Sequence, residues 1–187
     1  CIYIFNTSDS FSYAQKITLS KNFLSVSDAY YTVRSVDKAG NIYRIIGDAH
    51  NKQYGAMLFV MTVDLETKKY CYTLNNFEDG KYFTWDDLLW EKERAIVTLS
   101  YYREEKDPNT QAKLLFVEFN ELAIKITVSQ LKPDHVDGID MHFSYGTPLG
   151  LDPLIAMGNG IYLRPNEKSD GLDIFDFTNS DSPNLIY

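Results

Sequence analysis

The densest set of metal- and proton-binding side chains in the chain is Asp134-His135-Val136-Asp137-Gly138-Ile139-Asp140-Met141-His142. Carboxylates suit hard divalent cations and imidazole suits transition metals, so this stretch holds donors for either. Its spacing does not follow the D-x-D-x-D-G order of a calcium loop. The simpler reading is a polar connection, Lys132-Pro133-Asp134, entering a strand. In that strand Ile139, Met141 and Phe143 share one face, and Asp140 and His142 the other. No metal and no cofactor is expected.

Other chemistry finds less support. There is no G-x-S-x-G elbow, and neither Cys1 nor Cys71 has a placed histidine partner. Gly158-Asn159-Gly160 lacks the third glycine of a dinucleotide loop and leads into a strand. Glu66 and Glu104-Glu105 lie in charged, turn-like stretches, and no pair of carboxylates stands out for glycosidic chemistry. His50, in the polar run Gly47 to Lys52, is expected to be solvated. Without a CxxC, two cysteines cannot form a four-thiolate zinc site, and they are expected as unlinked thiols.

The formal net charge is −8, and the longest basic run is Lys68-Lys69. Binding to a phosphate backbone needs clustered Lys and Arg, so neither nucleic acid nor an anionic membrane surface is an expected partner. No apolar run approaches the ~20 residues of a membrane-spanning helix. The chain opens with Cys1 and runs at once into the strand-like Ile2-Tyr3-Ile4-Phe5, which suggests removal of a leader, a pro-segment or a larger N-terminal part. Asn6-Thr7-Ser8 is an N-glycosylation acceptor, relevant if the protein is secreted.

The elements that would position these groups are strands. With 14 Tyr and 11 Phe the aromatic load is heavy, and such residues suit half-buried pleated surfaces. Met57 to Asn76 reads as a β-hairpin: Leu58 to Val63 is one arm, Lys69 to Leu74 the other, and Asp64 to Lys68 the polar turn. Asp86 to Ala95 has good helix formers, but it is expected as strand end, turn and strand start. In Tyr30-Tyr31 and Tyr101-Tyr102, neighbouring side chains should point to opposite faces.

The hairpin has imperfect copies. Ile4-Phe5-Asn6-Thr7-Ser8, Val60-Met61-Thr62-Val63-Asp64, Phe116-Val117-Glu118-Phe119-Asn120 and Ile174-Phe175-Asp176-Phe177-Thr178 share one pattern and recur about every 57 residues. Leu24 to Asp28, Phe83 to Asp87 and Met141 to Tyr145 keep step as expected inner strands. Asn41 to Ile45, Ile96 to Tyr101 and Asn159 to Leu163 follow them. Each period therefore carries four strand-like segments, with boundaries near 1–22, 23–78, 79–132 and 133–187.

Four antiparallel strands at a fixed period resemble a β-propeller. No subfamily motif is present: there is no Gly-His…Trp-Asp pairing, no kelch diglycine, and Trp85-Asp86 stands alone. The expected fold is all-β, one repeat domain over 1–187, as a β-propeller or a section of one from a longer chain. A small closed ring and a two-sheet β-sandwich are the alternatives. In a propeller the inner strands face a channel. This resemblance makes Asp28, Asp86, Asp87, Asp140 and His142 the candidate ligand-binding residues, four carboxylates and an imidazole near one channel mouth. The function it implies is non-catalytic recognition or scaffolding, with a protein or glycan as partner. The alternative is a hydrolase or lyase whose acidic residues converge on the channel.

Overall fold

The computed structural model describes residues 2–6, 12–17, 29–52, 55–76, 82–102, 111–129, 154–166 and 171–186. All regular structure among them is β. Fourteen strands follow in order: β1 (Ile2–Asn6), β2 (Ser12–Ile17), β3 (Tyr30–Ala39), β4 (Ile42–Asn51), β5 (Gly55–Asp64), β6 (Tyr70–Asn76), β7 (Tyr82–Trp90), β8 (Arg94–Tyr102), β9 (Gln111–Asn120), β10 (Ala123–Ser129), β11 (Ile155–Gly158), β12 (Ile161–Asn166), β13 (Gly171–Asp176) and β14 (Asn184–Leu185). They form one hairpin, β1-β2, and three antiparallel four-stranded sheets: β3-β4-β5-β6, β7-β8-β9-β10 and β11-β12-β13-β14. Within each sheet neighbours in sequence are neighbours in space, which is the arrangement short hairpin connections produce.

The hairpin at Met57 to Asn76 is β5 paired with β6, from Met57↔Asn76 to Val63↔Tyr70. Its turn is held as the Asp and Thr side chains suggest. Asp64 accepts from the Glu66 and Thr67 backbone N–H groups at 2.9 and 3.3 Å and from Thr67 Oγ1 at 2.6 Å. The Thr67 hydroxyl bond, with the two backbone bonds and Lys69, holds the Asp64 carboxyl below the usual carboxylate range despite some desolvation. The stretch Asp86 to Ala95 is strand, turn and strand: β7 ends at Trp90 and β8 begins at Arg94. Val60 to Asp64 lies in β5, Phe116 to Asn120 in β9 and Ile174 to Asp176 in β13, each the third strand of its sheet, and Ile4 to Asn6 lies in β1.

The expected inner strands at Leu24 to Asp28 and Met141 to Tyr145 lie outside the described residues. The first-strand places of their sheets are held by β3 and β11. In the first sheet β3 and β4 are joined by a tight turn. Ala39 pairs with Ile42, so Gly40-Asn41 is a two-residue hairpin turn, and Gly40 has the positive φ of 61° such a turn requires.

Two cores stack the sheets. Ile46, Ala56, Leu58 and Val60 of the first sheet pack against Phe83, Ala95, Val97, Leu99, Leu115, Val117 and Phe119 of the second. The opposite face of the second sheet, with Ile96, Leu114 and Phe116, packs on Leu154, Tyr162, Phe175 and Phe177 of the third. The hairpins at 58–74 and 115–128 meet face to face, as a sandwich requires. The middle sheet is nonetheless covered on both sides, so a two-sheet sandwich is not the architecture. Central strands covered on both faces lose alternation and read as unbroken apolar runs, as in Leu114-Leu115-Phe116-Val117. The described strands close into neither a barrel nor a ring. Among the described residues no helix is long and apolar enough to cross a membrane.

First strands carry bulges. Register shifts between Val33 and Ser35 in β3, and between Trp85 and Asp87 in β7. One extra residue reverses the alternation of side chains beyond it. That is why Phe83 and Trp85 before the bulge, and Leu88 and Trp90 after it, all join the core shared with the first sheet, while Leu89 joins the other.

Candidate functional site

Of the five sequence-derived candidates, Asp28, Asp140 and His142 lie outside the described residues. Asp86 is the bulge residue of β7, and its side chain too lies outside them. Asp87 is placed, half-buried on the side of the third sheet. Its Oδ1 accepts from the Leu88 N–H at 2.8 Å and its Oδ2 from the Leu154 N–H at 2.9 Å. Asp87 is thus a bracket between the second and third sheets, binding backbone.

A different constellation stands between the first and second sheets. Its centre is Asp48 on β4, whose side chain is only 2% exposed. Asp48 Oδ1 accepts from Arg34 Nε at 2.6 Å and from the Trp85 indole at 2.9 Å. Asp48 Oδ2 meets His50 Nε2 at 2.8 Å. Tyr30, the cross-strand partner of His50, stacks on its ring with centroids 5.0 Å apart and planes 9° from parallel. His50 therefore lies in β4, half-buried and paired, which corrects the expectation of a solvated loop histidine. Asp48 and His50 are two apart on one strand, so they share a face with the core residue Ile46. Trp85 reaches them because the neighbouring sheet stacks on that face.

A buried carboxylate is costly unless its lone pairs are filled. Here Arg34 and Trp85 donate to it, His50 Nε2 contacts its second oxygen, and Arg34 brings a compensating charge. The contact at Nε2 gives Asp48 a hold on the orientation of the His50 ring, the arrangement by which a carboxylate steers an imidazole. Arg34 and Tyr30 are the exposed members, with Tyr30 64% exposed and the Arg34 side chain 48%. The signal in the sequence was faint: Asp48-Ala49-His50 is an i, i+2 pair inside a run that looks like a loop, and Arg34 and Trp85 are distant from it.

A second polar network joins the second and third sheets. Glu91 accepts from Arg94 Nε and from the Tyr162 hydroxyl. Burial alone would raise the Glu91 carboxyl. The bonds from Arg94 and Tyr162, with the Arg94 charge, overcome it and hold the group below its ordinary range. Burial first, and then the bond to Glu91, push the Tyr162 hydroxyl far above the ordinary tyrosine value. Arg94 also reaches Ser180, which donates to Glu118, and Lys125 closes on Glu118 at 2.8 Å. The Glu118 carboxyl is lowered chiefly by the Lys125 bond.

Among the described residues no group of three or more His, Cys, Asp or Glu side chains is arranged to hold a metal ion. Cys71, half-buried in β6, is a free thiol, and Cys1 lies outside the described residues. Tyr30 and Tyr31 do face opposite ways: Tyr31 meets Phe59 edge-on at 5.3 Å. Comparison with protein-family models, curated proteins and solved structures finds no match to this chain.

Proposed function

We propose that the chain is a section of a β-propeller serving as a non-catalytic recognition or scaffold module for a protein or glycan partner. The observation that carries this reading is a linkage made twice. Thr62 Oγ1 of β5 donates to the Leu122 carbonyl, in the turn after the third strand of the next sheet, at 2.6 Å. Glu118 of β9, at the matching place, accepts from Ser180, in the segment after the third strand of the following sheet, at 3.3 Å. One such contact belongs to any sandwich. Matching positions linked twice, each to the turn or segment after the third strand of the next sheet, support a repeat in which neighbouring sheets cover one another's faces.

The outer face of the third sheet supports the section reading. Ile155 pairs with Leu163 and Leu163 with Ile174, and the Ile186 N–H bonds to the Ile174 carbonyl. These four make one aliphatic row, and Ile155 and Ile186 are 50% and 58% exposed. A row of this kind suits a further sheet of the same repeat.

The alternative is a hydrolase or lyase, and the orientation of His50 by Asp48 is the feature that favours it. The two separate on an immobilised panel of glycans and peptides with product analysis of the bound members. Recognition predicts retention of one ligand class with every bound molecule recovered intact. Recovery of cleaved or eliminated product would instead establish the enzyme.

A further inference from the structure

We infer that Tyr30 and Arg34, held by Asp48 and His50, form a subsite for a carboxylate-bearing sugar ring of a glycan. The inference rests on the recognition reading above and narrows its ligand. Arg34 lies on the face that carries Asp48, in step with Tyr30 and Thr32, and the register shift between Val33 and Ser35 makes it the extra residue of β3, opposite no residue of β4. The bulge brings the backbone of β3 against β4, and Gly47 makes room: a Cβ there would stand 2.0 Å from the Thr32 carbonyl oxygen.

Arg34 is fixed through Nε on a carboxylate that is itself buried. Its two terminal Nη groups bond no described residue, and they are the pair whose parallel N–H vectors match a carboxylate. An ordinary surface arginine loses rotamer freedom when it binds. This one is already ordered, so a ligand gains more from the contact.

Tyr30 supplies the other half. One face of its ring lies on His50, and His50 in turn bonds Asp48, so the ring is held parallel to its support while 64% exposed. An aromatic face carries the negative part of the ring quadrupole and complements the C–H-rich face of a pyranose. Asp48 touches both the Arg34 and His50 side chains, so the fork and the platform lie side by side. A ring bearing a carboxylate engages both. A neutral sugar engages only Tyr30, and an acidic peptide only Arg34.

The test is isothermal titration of the whole chain with oligogalacturonate, its methyl ester, and oligoglutamate. The ester keeps the rings and removes the charge; oligoglutamate keeps the charge and removes the rings. Oligogalacturonate should bind, and the ester should bind about tenfold more weakly for want of the charged hydrogen bonds. Arg34→Ala should weaken binding about tenfold, and Arg34→Lys nearly as much, since it keeps the charge and loses the Nη pair. Tyr30→Ala, at an exposed position, should weaken it about fivefold. Equal affinity for acid and ester, equal affinity for oligoglutamate, wild-type affinity in Arg34→Lys, or no binding of oligogalacturonate each overturns the inference. A neutral glycan retained on the panel and indifferent to Arg34→Lys overturns it while leaving the recognition reading intact. Product formation overturns the recognition reading itself.

Discussion

The Trp85 indole of the second sheet donates to Asp48 of the first at 2.9 Å, across the interface that both sheets bury. The bond ties the candidate site to the stacking of the sheets. Trp85 shares the inner face with Phe83, Leu88 and Trp90, and Asp48 shares its face with Ile46. Removing the carboxylate leaves the indole N–H without its acceptor and releases Arg34 and His50. Asp48→Ala is expected to destabilise the fold by about 3 kcal/mol, the scale for breaking a buried charged network. Asp48→Asn, which keeps one acceptor, should cost less. Urea midpoints check the order, and equal midpoints for wild type and Asp48→Ala would contradict it.

Gly47 faces the β3 bulge, where a Cβ would meet backbone on the opposing strand. Backbone cannot move aside as a flexible side chain can. Gly47→Ala is therefore expected to cost about 3 kcal/mol, at the upper end for overpacking. Gly40→Ala, where nothing lies within 4 Å, should cost less and only through its positive φ. Thermal melting of the two variants gives the comparison, and a larger loss at Gly40 would count against the bulge as the constraint.

Thr62 is fully buried and donates its hydroxyl to the Leu122 carbonyl. Thr62→Val keeps the shape and removes the donor, leaving that carbonyl without this partner. A loss of about 1–2 kcal/mol is expected. Thr178→Val, whose hydroxyl serves an exposed turn, should change stability by less than about 0.5 kcal/mol. The two midpoints measured side by side test whether the sheet-to-sheet bond is structural.

The Glu91–Tyr162 pair makes the interface of the second and third sheets sensitive to pH at both ends. Glu91 is lowered in the fold, so its contribution is present above the ordinary value of 4.5 and is lost as pH falls through the folded value. Tyr162 is raised, so its contribution is complete below the ordinary value of 10.0 and is lost as pH rises toward the folded value. The stability advantage of wild type over Glu91→Gln should narrow below pH 4.5, and its advantage over Tyr162→Phe should narrow above pH 10.0. Gaps that stay constant across those ranges would show that neither group is coupled to folding.

Much of the strand order was legible because it depends on local signals. The turn chemistry of Asp64 and Thr67, the recurring third-strand pattern, and the break at Glu91 to Glu93 all lie within a few residues of what they specify. The first strands were harder, since a bulge reverses alternation and hides the period of two. Val33-Arg34-Ser35 and Trp85-Asp86-Asp87 look irregular for that reason. The Asp48 site was illegible because its members come from β3, β4 and β7, and a stacked interface leaves no spacing in the sequence. His50 was misread because Gly47, Asp48 and Asn51 are turn-type residues. In the fold they serve a close strand approach, a buried acceptor and a strand end.

The protein has two tryptophans, so its indole N–H region holds two resonances. Trp85 donates to Asp48, and Trp90 donates to Ser35 Oγ at 2.8 Å. A carboxylate seated on Arg34 draws on the guanidinium that Asp48 also holds, and so alters the acceptor of the Trp85 indole. Titration with oligogalacturonate is predicted to shift the Trp85 indole resonance, leave that of Trp90 in place, and lose the effect in Arg34→Lys. A Trp85 resonance that stays fixed at saturating ligand, or a shift confined to Trp90, would contradict the account.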